Sequence, residues 1–122
     1  MKNISVGDYV RSKNGSIGKV TKIEDDKYLY ENKELITFIG NVVKHSKNII
    51  DLIEEGDIIE FNGEKYQVIY DESYNKLGIL IPNKNYLAIK HSSLEFVFEQ
   101  NKYVTILTKE QYMQNCYTVK RS

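Results

Sequence analysis

Tryptophan is absent, proline and cysteine occur once each, and 17 basic residues are offset by 17 acidic ones. Each shortage excludes something. A lone Cys116 cannot form an internal disulfide and fits a reducing compartment. Zero net charge argues against a general nucleic-acid binder and equally against an acidic mimic of DNA. Split at Ile53, the first half carries a small basic excess and the second an equal acidic one, so neither half changes that conclusion. No apolar run approaches the roughly 18 residues a membrane span needs. The opening Met1-Lys2-Asn3 leads into no apolar signal segment, which makes the cytoplasm the expected location.

Chemical machinery is equally sparse. Two histidines and one distant cysteine do not make a zinc pattern, which wants four well-spaced ligands. No Walker loop or Rossmann fingerprint is present, and Gly15 and Gly18 lack the context of such a loop. A thiol–imidazole pair of Cys116 with His45 or His91 is conceivable, but no nucleophile motif surrounds Cys116, whose neighbours Tyr117 and Val119 read as a strand. The expectation is a protein with no catalytic residues, no metal and no cofactor.

Against these shortages stand ten tyrosines and an apparent internal repeat. Gly7-Asp8 is followed by Asn14-Gly15 and Lys44-His45-Ser46; Gly56-Asp57 is followed by Asn62-Gly63 and Lys90-His91-Ser92, at a nearly constant offset. Asn-Gly marks tight hairpin turns, because both residues tolerate positive φ. Strands are predicted at Tyr28–Tyr30, Leu35–Phe38, Asn41–Lys44, Ile58–Phe61, Tyr66–Tyr70, Leu77–Ile81, Tyr86–Ile89, Leu94–Phe98, Tyr103–Leu107 and Cys116–Val119. Gly18 marks a bulge or a close backbone approach. Asn48 and Thr108 each read as the N-cap of a short helical segment, Thr108 with Gln111 at the capping-box position.

This pattern predicts an all-β protein with short helical segments, built as two SH3-like small barrels from an internal duplication. The expected modules are 1–53 and 54–122. Each is marginal alone, so the halves are expected to share an interface. One continuous, strongly curved sheet is the rival architecture.

Val6-Gly7-Asp8-Tyr9-Val10-Arg11, followed by Ile17-Gly18-Lys19-Val20, resembles the opening of small accessory proteins from phages and prophages of low-GC Gram-positive bacteria. The block Val43 to Asp57, with Lys44-His45-Ser46-Lys47-Asn48-Ile49-Ile50 at its heart, is its most specific part. The closing Ile106-Leu107-Thr108-Lys109-Glu110-Gln111-Tyr112 resembles the C-terminal element of the same proteins. Asp71 to Ser93 has no such counterpart. The Gly-Asp-x-Val start is also similar to the small KOW-like β domains of ribosomal and transcription proteins. The first resemblance implies an accessory protein that binds and inhibits a host protein, with a bacterial defence effector such as a CRISPR nuclease as the specific case. A nucleic-acid-binding SH3-like module, using Arg11, Lys13, Lys44 and Lys90, and a virion structural or assembly protein are the alternatives.

Tyr9, Tyr28, Tyr30, Tyr66, Tyr70, Tyr74 and Tyr86 exceed what two small cores need, and exposed tyrosines hold protein surfaces or stacked bases. Near-neutral charge favours protein, since backbone neutralisation dominates nucleic-acid affinity. The expected binding surface is the first hairpin, around Tyr9, Arg11, Lys13 and Tyr28. Lys44, His45, Lys90 and His91 are candidate anion contacts, or else corresponding strand ends kept from the duplication. Monomer and homodimer both remain open.

Overall fold

A computed structural model describes residues 3–73, 75–83 and 88–115, with backbone alone for 81–83, 88–91 and 113–115. Tyr74, Tyr86, Cys116 and the predicted strand Cys116–Val119 lie outside the described residues. The protein is predominantly β with short helical segments. Its chain divides into two units: one runs to Leu52 and includes the chain from Glu110, the other is Ile53–Lys109.

In the first unit, β1 (Tyr9–Ser12), β2 (Ile17–Lys19) and β6 (Val42–Ser46) form an antiparallel sheet in the order β2-β1-β6. A second sheet is built of β3 (Lys22–Glu24), β4 (Tyr28–Glu31) and β5 (Glu34–Phe38). Val10, Val20, Leu29 and Val42 form the core between them, with Ile4, Ile23, Ile36 and Ile39 packed alongside. Gly18 marks a close approach: a Cβ there would meet Ile36 Cδ1 at 2.8 Å and Cγ1 at 2.9 Å.

The second unit repeats this plan. β7 (Ile58–Phe61) lies between β8 (Glu64–Gln67) and β12 (Thr105–Leu107), while β9 (Ile69–Asp71), β10 (Lys76–Asn83) and β11 (Ala88–Ser93) form the other sheet. A 3₁₀ turn, Ile39–Asn41, precedes β6, and helix α1 (Leu94–Gln100) precedes β12. After β6 comes a 3₁₀ turn at Ile49–Leu52, and after β12 comes α2 (Lys109–Asn115).

The equivalence extends to individual hydrogen bonds. Asp8 N–H donates to Ser5 O (3.0 Å) and Asp57 N–H to Glu54 O (3.1 Å), with Gly7 at φ +98° and Gly56 at φ +96° inside the two turns. That is the pattern of a type II turn, whose third residue must take positive φ. Each aspartate then closes its turn from the side chain: Asp8 Oδ2 accepts from Ser5 N at 3.0 Å, and Asp57 Oδ2 from Glu54 N at 2.8 Å. Gly7 N–H donates to Val20 O at 2.8 Å and Gly56 N–H to Val68 O at 2.9 Å, while the amides of Val20 and Val68 return to Asp8 O and Asp57 O.

Four expectations need correction. The sheets are separate and three-stranded, and no barrel closes among the described residues. The reason lies at the corners. Val20 N–H bonds Asp8 O but Thr21 N–H bonds Tyr30 O, so the chain leaves one sheet and enters the other within one residue. Leu94–Phe98 is helical: Ser93 Oγ accepts from Phe96 N (3.3 Å), and burial of Leu94 and Val97 follows helical spacing. The Lys-His-Ser triplets are not corresponding positions. Lys44 and His45 lie opposite Arg11 and Val10 of β1, whereas His91 lies opposite Leu80 of β10; by strand order, the counterpart of β6 is β12. Finally, the two Asn-Gly turns differ. Asn62 and Gly63 both have positive φ (52° and 76°) in a two-residue hairpin, whereas Gly15 alone is positive in the first, where Ser12 N–H reaches Ser16 O.

Asn48 does cap its turn, with Oδ1 accepting from Ile50 N at 3.1 Å. Helix α2 begins directly after Thr108, and Asp57 Oδ1 accepts from its first amide, Lys109 N, at 2.9 Å.

Candidate binding face

The outer face of the β3-β4-β5 sheet concentrates aromatic surface. Leu29 is fully buried, so by strand alternation its neighbours Tyr28 and Tyr30 point to the opposite side. Tyr28 pairs with Phe38 across the sheet, and Tyr30 with Leu35. A bulge in β5 accounts for the combination. Register shifts between Leu29 and Tyr30, so Ile36 packs on the core and Thr37 is buried opposite Leu29, while Leu35 and Phe38 both stay outside. Leu35 is 48% and Phe38 46% exposed.

Ring contacts organise this face. Tyr28 and Phe38 meet edge-to-face at 5.2 Å and 60°. Lys22 Nζ lies 5.7 Å from the Tyr30 ring centroid, a cation–π distance. Lys22 also bridges Glu24 at 3.2 Å, so both signs of charge border the rings. Tyr30 lines a shallow depression of about 250 Å³ with Thr21, Lys22, Glu24, Asn32 and Lys33. Thr21 Oγ1 donates to Tyr30 O at 3.2 Å and accepts from Asn32 N at 2.7 Å, which fixes the rim.

The residues expected to form one patch are distributed differently. Of the four around the first hairpin, only Tyr28 is on this face. Tyr9 is on β1, half-buried, with Lys19 Nζ 5.7 Å from its ring centroid. Lys13 is exposed in the turn after β1. Arg11 is no surface anchor: its exposure is 0%. It lies on the side of β1 opposite Val10, where the Ile49–Leu52 turn and Glu110 cover it. Its guanidinium donates to Leu52 O at 2.9 Å and to Glu110 Oε2 at 2.6 Å.

Lys44 and His45 sit on β6, and Lys90 and His91 on β11, in different sheets. The anion next to His45 is internal: its Nδ1 is 3.6 Å from Asp8 Oδ2. Lys47 Nζ is 2.6 Å from Asp8 Oδ1. The Lys47 bond, joined by the Ser5 amide, holds the Asp8 carboxyl below its ordinary range against the opposing effect of burial, and His45 adds a smaller push the same way. Of Lys90 and His91 only the backbone is described.

Among the described residues, no group of three His, Cys, Asp or Glu side chains is placed to hold a metal ion. No described helix is long and apolar enough to cross a membrane. Comparison with protein-family models, with curated proteins and with solved structures finds no match.

Sequence reasoning missed Leu35, Phe38 and Lys22. The Tyr-Leu-Tyr alternation carried a signal for the outer face, but strict alternation along β5 puts Leu35 and Phe38 on opposite sides. Only the bulge unites them.

Proposed function

We propose that this protein is a non-enzymatic binding module that captures a partner protein through the outer face of β3-β4-β5. The observation that carries this is the cluster of half-buried Tyr28 and Tyr30 with exposed Leu35 and Phe38, on a sheet whose other side already fills the core. Aromatic side chains on a rigid strand scaffold supply contact area at low entropy cost. The border of Lys22 and Glu24 suits a mixed polar protein surface rather than a polyphosphate, which would require charge of one sign. On the resemblance of its opening, middle and closing segments, the partner is a host protein in the bacterial cytoplasm, bound by an accessory protein of a phage, and inhibition of a defence effector is the specific form.

The test compares the wild type with Tyr30→Ala/Phe38→Ala, shown to be folded by circular dichroism. Capture from bacterial lysate at several salt concentrations is followed by titration of the recovered partner. The double variant is expected to lose at least about 2 kcal/mol of affinity, the scale of a hot-spot truncation. Equal affinity of both proteins would exclude this face. Retention of nucleic acid instead, weakening steeply with salt, would favour the nucleic-acid alternative. Recovery of virion proteins alone would favour an assembly role.

A further inference from the structure

The two Asn-Gly pairs of the repeat differ in their surroundings, and the difference has a covalent consequence. Asn62-Gly63 forms the exposed tip of the β7–β8 hairpin. Phe61 and Glu64 are the last paired residues, so the Gly63 amide lies outside the ladder, and a Cβ placed on Gly63 would meet nothing within 4 Å. The Asn62 side chain is held by one long bond, Nδ2 to Asn101 Oδ1 at 3.3 Å. Asn14-Gly15 is secured on both sides of the peptide link. Gly15 is buried and donates its amide to Ser12 O at 3.0 Å. Asn14 Oδ1 accepts from Ser16 N at 3.0 Å and from the Ser12 hydroxyl.

We propose that Asn62-Gly63 is a site of spontaneous succinimide formation and deamidation, and that Asn14-Gly15 is protected from it. The Gly63 amide nitrogen attacks Asn62 Cγ. A C–N bond forms, the Cγ–Nδ2 bond breaks, and the amide proton departs with the side-chain nitrogen as ammonia. Water then opens the ring to aspartate or isoaspartate, with no redox change. Ring closure requires rotation about the Asn Cα–C bond to bring the following amide nitrogen onto Cγ, which opens the turn. At Asn62 that opening disturbs only the hairpin tip, whereas at Asn14 it breaks the bonds named above.

The product alters a contact at the end of α1. Asn101 is the C-cap of α1, and its Nδ2 donates to Val97 O at 2.9 Å. A carboxylate at position 62 presents an acceptor to Asn101 Oδ1, and Asn101 cannot turn its amide round without giving up Val97. Isoaspartate in addition lengthens a two-residue turn by a methylene in the main chain.

The full-length protein is incubated in mildly alkaline buffer, and peptides are mapped by mass spectrometry with hydroxylamine cleavage to register the succinimide. Asn14 serves as the internal control. Asn62 is expected to convert at least about tenfold faster, because opening costs three hydrogen bonds at Asn14-Gly15 and one at Asn62, and each net bond in the barrier is worth up to about a factor of ten. Conversion of Asn14 at an equal or greater rate overturns the proposal. So does survival of both asparagines while a peptide carrying Phe61-Asn62-Gly63-Glu64 converts fully. Asn62→Asp reports the consequence: amide hydrogen exchange at the C-terminal end of α1 is expected to quicken, and unchanged exchange would remove the proposed effect on α1.

Discussion

Replacing Arg11 with methionine tests the assignment of this residue to the interior of the first unit. Methionine keeps much of the side-chain volume, so the loss is mainly polar. Leu52 O is left in a buried site without its guanidinium donor, at a cost of about 1–3 kcal/mol. The bond to Glu110 is charge-assisted and short, at 2.6 Å. Removing one member of a buried ion pair costs about 3–5 kcal/mol, chiefly because the other charge is stranded. Glu110, however, is 29% exposed on its side chain and can turn partly to water, which reduces this contribution. A net loss of about 3 kcal/mol follows, a large share of the roughly 5–15 kcal/mol that stabilises a domain of this kind. Urea unfolding of R11M, E110Q and the double variant measures the loss and isolates the pair coupling. E110Q keeps an acceptor and is expected to cost less than R11M. Because the guanidinium is buried, the R11M loss should persist at high salt. A loss of under about 1 kcal/mol, or one that salt abolishes, would refute a buried Arg11 and return it to the surface.

Two further perturbations address the aspartate turns. The folded-state pKa of Asp8 lies below its unfolded value of 3.8, so its contribution is complete above that value and disappears as pH falls through the folded pKa. Asp8→Asn should therefore melt lower than wild type at neutral pH, with the gap narrowing on the acid limb; a gap that stays constant with pH would contradict this. Gly7→Ala and Gly56→Ala should each cost about 1–2 kcal/mol, because both positions hold positive φ and the nearest atom to either added methyl is 3.6 Å away. Chemical denaturation should find similar losses in the two variants, and a negligible cost at either position would break the equivalence of the turns.

The two matching turns were legible because their signature is local. A type II turn closed by an aspartate needs glycine at one position and a carboxylate at the next, and Gly7-Asp8 and Gly56-Asp57 state that requirement directly. Asn48 at the start of a 3₁₀ turn was legible for the same reason: a cap is a contact between near neighbours. The Lys-His-Ser triplets misled because identity of three residues does not fix which strand they pair with. Leu94–Phe98 misled because a short run rich in apolar and aromatic residues suits a strand as well as a short helix, and only burial of Leu94 with Val97 selects the helix.

By itself, then, the sequence determined a β-rich chain with two matching openings, tight turns and more tyrosine than its cores require. These follow from backbone preference and side-chain period, which act within a few residues. Tertiary structure decided the rest. It buried Arg11 through partners 41 and 99 residues away, Leu52 and Glu110. Through a one-residue bulge it placed Leu35 and Phe38 on one side of a sheet. It also left Asn62-Gly63 exposed at a hairpin tip while burying Gly15 and tying Asn14 to Ser12 and Ser16. Burial, register and access depend on contacts between segments distant in the chain, and no local pattern of residues encodes them.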